Sequence, residues 1–197
     1  MRILFATDNH HKIEEAIEIF GDLGHTVERL SINGLNINFD EPKHLGIDAV
    51  AESKVDQALS LISGTEYEGC YILVEDSGVF TKFFEDWPGA FSASVLFDLG
   101  IDGFLDRMSK STNRDGEYRA VAIISNGDKK WKAVGSCKGI FSHERLGSNG
   151  FGYDPIFIPD KGDGRTFAQM ESSLKSTFSH RAEALKSLSL LINSPSK

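Results

Sequence analysis

Apolar residues follow two rhythms along this chain. Ile3-Leu4-Phe5-Ala6 and Ile72-Leu73-Val74 are short unbroken runs with polar flanks, the pattern of a buried strand. Ile13, Ala16, Ile17 and Phe20 instead recur at i, i+3, i+4 and i+7, which is one face of a helix. The chain therefore opens strand, polar turn, helix, and Asp8 or Asn9 is the natural N-cap. A second strand is predicted from Val27 to Leu30, then a loop from Gly34 to Pro42. From Ile47 to Ile62 the apolar residues gather on one side at roughly 100° per residue, which predicts a helix. Another helical segment is expected from about Phe91 to Met108, broken near Gly100, and a polar loop from Lys110 to Gly116. Tyr118 to Ser125 and Lys130 to Cys137 read as two strands joined by the turn Asn126-Gly127-Asp128. A last helix begins at Ser179-His180-Arg181, with Ser179 as its expected cap, and the tail from Asn193 is expected to fray.

A few positions depart from this pattern, and they carry the chemistry. Glu75-Asp76-Ser77-Gly78 follows directly on the second apolar run, at the strand end where an open α/β sheet usually presents its ligand site. Two neighbouring carboxylates stay ionised together most easily with a positive group between them, either a metal ion or an ammonium. Hard oxygen donors in this number suit Mg²⁺ or Mn²⁺. An ordinary turn is the competing reading, because Asp-Ser-Gly is also good turn chemistry. Lys54 projects into the apolar stripe of its helix, where it either snorkels outward or reaches a buried acid or a bound anion. The free N–H groups of the first helix start, with Lys12 in its first turn, favour an anion, but the glycines of a P-loop are missing. Residues 147–155 are the most glycine-dense stretch, allowing close backbone approach, with Phe151 and Tyr153 as faces for a flat ring. His180 and Arg181 occupy a first helical turn, where positive charge is unfavourable, so a purely structural role is not the obvious one.

Composition narrows the class. A chain of 197 residues, 40% hydrophobic and 25% charged, is expected to be one ordinary globular domain, with two small ones as the alternative. Its net charge of −8 argues against polymeric nucleic acid as a partner but allows a small anionic ligand gripped by a few local cations. Cys70 and Cys137 form no spacing motif and suit free thiols in a reducing compartment. The N-terminal apolar run is too short for a signal peptide, and no run reaches membrane-spanning length, so a soluble cytoplasmic protein is expected.

The order of the motifs says more than any one of them. Thr7-Asp8-Asn9 with Lys12, then Glu41, Lys54, Glu75-Asp76-Ser77-Gly78, Trp87-Pro88-Gly89, the block from Gly150 to Phe157 and Ser179-His180-Arg181 together resemble the inosine triphosphate pyrophosphatase family. The resemblance covers nearly the whole chain, and G-F-G-Y-D-P-I-F and S-H-R-A are its most specific strings. It implies an α/β fold in which a long, mixed, twisted sheet is flanked by helices and forms two lobes with a central cleft. It further implies a homodimer that hydrolyses ITP, dITP and XTP to the monophosphate and pyrophosphate. Glu41, Glu75 and Asp76 are the implied ligands of Mg²⁺, with Mn²⁺ as the alternative metal, Asp40 as the alternative to Glu41, and Asp76 also the general base. Asn9, Lys12 and Lys54 are expected to meet the triphosphate, with hydrogen bonds from Thr7 and Ser77; Asp8, His10 and His11 complete that substrate-binding turn. Phe151, Gly152, Tyr153, Asp154, Lys175, His180 and Arg181 are expected around the base. Two departures stand out: the family most often has glycine where this chain has Asp8, and phenylalanine or a small residue where it has Trp87. A nucleotide-binding regulator without turnover and a broad metal-dependent phosphatase are the competing classes. The clustered carboxylates weigh against the first, and the lack of His-Asp clusters weighs against the second.

Overall fold

The structure, a computed structural model, describes residues 1–32, 34 and 37–193. Its strands are β1 (Arg2–Phe5), β2 (Thr26–Arg29), β3 (Tyr71–Thr81), β4 (Asp115–Ser125), β5 (Lys130–Phe141) and β6 (Phe157–Pro159). Its α-helices are α1 (His10–Gly21), α2 (Ile47–Ile62), α3 (Ser92–Arg107), α4 (Ser172–Lys175) and α5 (His180–Asn193). The strands form one sheet in the order β2-β1-β3-β4-β5-β6. β1 runs parallel to both β2 and β3, whereas β5 and β6 are antiparallel, so the sheet is mixed, as expected.

Two helices follow the apolar pattern closely. α2 spans Ile47–Ile62 and buries Ile47, Val50, Ala51, Val55, Ala58 and Ile62. α3 is interrupted at Gly100, where φ is 65° and ψ is 179°. The strands are longer than the apolar runs suggested. β3 does not end at Val74 but continues through Glu75, Asp76, Ser77 and Gly78 to Thr81. The turn reading of Asp-Ser-Gly is therefore corrected. Gly78 cannot carry a side chain in this strand, because it is packed against backbone: a Cβ there would come 2.1 Å from the carbonyl oxygen of Gly89. β4 likewise begins at Asp115, inside the segment read as loop. Of the loop expected from Gly34 to Pro42, residues 35 and 36 lie outside the described residues. So do residues 194–197 of the expected frayed tail, and Asn193 is the last residue of α5.

The chain divides into two compact units, and neither is a continuous stretch. Unit 1 comprises Met1–Asp76, Ala120–Gly135 and the segment from Ala182; unit 2 comprises Ser77–Arg119 and Ser136–Arg181. The core of unit 1 joins Ile3 and Phe5 of β1, Leu73 of β3, Ala16 and Phe20 of α1 and Leu185 and Leu188 of α5. The core of unit 2 is aromatic, with Phe104, Tyr118, Phe141, Tyr153, Phe157 and Phe167 all buried together. Among the described residues no helix is long and apolar enough to cross a membrane.

Candidate active site

In unit 1 the site is built where β1 ends. Ile3, Leu4 and Phe5 are in register with Tyr71, Ile72 and Leu73, and the last link is Ala6 N–H donating to the Leu73 carbonyl at 2.9 Å. Residues 7–9 then turn into α1. β3 runs on past the end of its neighbour, and Glu75 and Asp76 lie on this overhang. Lys12 takes over there. Its Nζ donates to the Glu75 carbonyl oxygen at 3.3 Å and lies 2.5 Å from Glu75 Oε2. The Glu75 side chain is fully buried, so the ammonium meets a carboxylate that water does not reach.

The turn before α1 is held by its own side chains. The Asn9 side-chain oxygen accepts from the backbone N–H groups of His11 and Lys12, which caps the helix, and the Thr7 hydroxyl accepts from Asn9 N–H. Asp8 is paired with a cation: its Oδ1 lies 2.6 Å from Arg29 Nη2. That contact accounts for a carboxylate where the family most often has glycine. His10 is exposed, and His11 is exposed beside Glu14 at 3.7 Å.

Glu41 arrives on the loop before α2. Its Oε1 lies 3.2 Å from Lys54 Nζ and its Oε2 3.3 Å from Lys43 Nζ. The loop is tied to α2 through main-chain atoms of residue 40: Asp40 N–H donates to Gln57 Oε1, and the Asp40 carbonyl accepts from Ser53 Oγ and Gln57 Nε2. Asp40 itself is exposed, so Glu41 is the acid that meets Lys54. Lys54 is only 8% exposed, so it has not snorkelled to the surface but reaches an acid. A cavity of about 260 Å³ is lined by Thr7, Asp8, Phe39, Glu41 and Lys54, among others.

Asp76 shares this field. Burial raises its carboxyl from 3.8 to about 6; Lys12 and Lys54 pull it down, while Glu75 and Glu41 push it up. Burial also pushes Glu41 up, but Lys54 and Lys43 outweigh that and hold it below the ordinary carboxylate range. Among the described residues no group of three or more His, Cys, Asp or Glu side chains is arranged to hold a metal ion. Lysines, not a third acid, are the partners seen at Glu41 and Glu75.

Unit 2 gathers a second set, and Ser77 is its first residue, half-buried on β3. The rest centres on Asp154, which is 2% exposed. Asp154 Oδ2 accepts from Phe151 N–H at 2.9 Å and from Lys175 Nζ at 2.6 Å, while Oδ1 accepts from the Tyr118 hydroxyl at 3.3 Å. Gly150 is required beside it: its φ is 73°, and a Cβ would come 2.1 Å from Asp154 Oδ2. Lys175 Nζ and Arg181 Cζ lie 5.0 and 5.6 Å from the centre of the Phe151 ring. His180 is buried and stacks on Tyr118, with centroids 4.5 Å apart and planes 13° from parallel.

The sequence reading missed several parts of both sets. Tyr153, expected as a ring face, packs edge-on against Phe104 and donates its hydroxyl to the Ser92 carbonyl. Asp154, expected around the base, accepts from three donors of the protein itself. Tyr118 and Gln57 were not singled out at all. The only available signal for Gln57 was its i, i+4 spacing from Ser53.

These features define an α/β protein with a lysine-paired acidic site beyond a parallel strand and a separate aromatic site built on a glycine turn. The sequence model of the Ham1 family matches residues 3–190, and the chain belongs to that family. The dITP/XTP pyrophosphatase of Hyperthermus butylicus is 32% identical over 186 residues, 94% of this chain and 92% of that protein. The enzyme of the same name from Pyrococcus horikoshii is 33% identical over 186 residues, 94% of each. Among solved structures, the Ham1 protein of Staphylococcus aureus matches with a TM-score of 0.82 at 25% identity, covering 98% of both chains.

Proposed function

We propose that this chain hydrolyses non-canonical purine nucleoside triphosphates, namely ITP, dITP and XTP, to the monophosphate and pyrophosphate. One observation carries the reading: two lysines are held against acids, Lys12 at 2.5 Å from Glu75 and Lys54 at 3.2 Å from Glu41, and both pairs act on Asp76. In-line attack of water on the α-phosphorus needs a base to orient and deprotonate the water and cations to offset charge on the phosphate oxygens. Asp76 is the base. Lys12 and Lys54 are the cations, and both are already held among acids that the triphosphate and a metal would redistribute.

The donor set suits a hard divalent cation. Glu41, Glu75 and Asp76 are all carboxylates, and their crowding is part of what holds Asp76 up at about 6. These three would hold Mg²⁺, or Mn²⁺ in its place. The metal, when bound, supplies positive charge against the phosphate oxygens. Lys12 and Lys54, which lie against Glu75 and Glu41, would then face the triphosphate.

In unit 2, Lys175, His180 and Arg181 act as donors toward the base and Phe151 as its stacking surface. Hypoxanthine and xanthine present a carbonyl oxygen at C6, an acceptor, where adenine presents an amino donor. A set of donors therefore favours the 6-keto purines, because facing adenine would leave buried donors unmatched. The two units act as one pyrophosphatase domain, assembled as a homodimer as the family resemblance implies. Hydrolysis of free nucleotides suits the cytoplasm, and a net charge of −8 suits a free nucleotide better than a polymer.

The test is to incubate the protein with ITP, dITP, XTP and ATP in Mg²⁺ and identify the products by ion chromatography. Monophosphate with pyrophosphate from the first three is expected. Orthophosphate would replace this reading with a phosphatase, and tight binding without turnover would replace it with a regulator.

A further inference from the structure

Tyr118 of β4 touches both segments assigned to the base. Its ring lies flat on His180 at 4.5 Å, and its hydroxyl donates to Asp154, the carboxylate that holds Lys175 Nζ at 2.6 Å. The ring is wedged by Phe157, edge-on at 4.8 Å, and by Phe167 at 5.9 Å, so it cannot swing without displacing the core of unit 2. Full burial and the nearby Asp154 carboxylate push the phenol well above its ordinary range, so the hydroxyl remains a donor across the pH range in which the protein is folded. Lys175 has no fixed direction of its own: it ends a four-residue helix and carries a flexible stem, and what aims it is Asp154.

We propose that Tyr118 is a positioning residue for base selection, setting the His180 ring by stacking and the Lys175 ammonium through Asp154. Nothing in this requires Tyr118 to touch the nucleotide. The inference rests on the reading that His180 and Lys175 meet the base. Its logic is that of a buried polar network: a donor aimed by a fully satisfied carboxylate rejects a mismatched partner, whereas a loosely aimed one accommodates it. Removing the hydroxyl alone leaves Asp154 Oδ1 without its tyrosine donor, and the carboxylate then turns toward its two remaining donors and carries Lys175 with it.

The experiment compares wild type, Tyr118→Phe and Tyr118→Leu in two measurements: kcat and KM for ITP and ATP in Mg²⁺, and binding of the monophosphates IMP and AMP by calorimetry. Tyr118→Phe keeps the stack and loses only the hydroxyl. Its melting temperature is expected to stay close to wild type, kcat on ITP within about twofold, and the ITP-over-ATP ratio of kcat/KM to fall by ~10-fold. The IMP-over-AMP affinity ratio is expected to fall in parallel, and Tyr118→Leu to lose more of both. Unchanged ratios in Tyr118→Phe, with or without a loss of melting temperature, would leave Tyr118 as core packing and overturn the proposal, as would a wild type that binds IMP and AMP alike. A wild type that makes no pyrophosphate from ITP would defeat the functional reading, while the monophosphate ratios would still decide the role of Tyr118.

Discussion

Lys12 Nζ lies 2.5 Å from Glu75 Oε2 and also donates to the Glu75 carbonyl oxygen at 3.3 Å, so one ammonium serves both the side chain and the backbone of the same residue. Removing one partner of such a pair leaves an uncompensated charge where water cannot reach it. Lys12→Met is expected to lower the stability of the metal-free protein by about 3 kcal/mol or more. Urea denaturation in EDTA measures it. Adding Glu75→Gln to the same chain should recover most of the loss while leaving the enzyme inactive.

Lys54→Met should behave in the opposite way. The ammonium lies 3.2 Å from Glu41, but Glu41 keeps Lys43 at 3.3 Å, and methionine fills the stem's place in the apolar stripe of α2. The melting temperature is expected to change little and kcat/KM for ITP to fall by ~10²-fold, as befits a lost charge on the transferring group. A large drop in melting temperature with normal kinetics would make Lys54 a structural ion-pair partner only.

Asp76 gives a signature in stability as well as in rate. Its carboxyl titrates at about 6 in the fold instead of 3.8, so between those values the folded state holds a proton that the unfolded chain has released. Stability of the metal-free protein should therefore fall as pH rises through that window. Asp76→Asn removes this contribution, so the difference in melting temperature between variant and wild type should widen in favour of the variant from pH 4 to pH 6. The same substitution should lower kcat by ~10²–10⁴-fold at pH 8. A variant retaining more than about a tenth of wild-type kcat would not have lost its general base.

Arg181 is 2% exposed and lies over the Phe151 ring, so it is no helix-surface charge. Arg181→Ala is expected to raise KM for ITP and to narrow the gap between ITP and ATP. Steady-state kinetics on both nucleotides, with a melting curve as control, check it. An unchanged ratio of kcat/KM would remove Arg181 from base recognition.

How much of this was legible in the sequence depended on distance along the chain. α2 could be read residue by residue because its apolar stripe is a local pattern, and the break at Gly100 was legible for the same reason. The continuation of β3 was not, because Glu75-Asp76-Ser77-Gly78 has turn chemistry, and the reason for a glycine at 78 lies in the backbone of Gly89, eleven residues on. Lys54 was marked by its misplacement in the stripe, but its partner was not, since nothing local says which loop acid returns to it. The interleaved units were invisible too: their segments alternate along the chain, and no composition shift marks the crossings. Tyr118 reads as an ordinary strand residue because its four relationships reach positions 154, 157, 167 and 180.

Among the described residues, Gln57 and Ser53 grip the loop that carries Glu41 through the amide and carbonyl of residue 40. Every residue type except proline offers the same two atoms, so the anchor is blind to the identity of the side chain. Position 40 can mutate freely without loosening Glu41, and a library randomised there should yield active enzyme for nearly every substitution but Asp40→Pro. The surface of this loop can thus diversify over generations while its one chemically committed acid keeps its place.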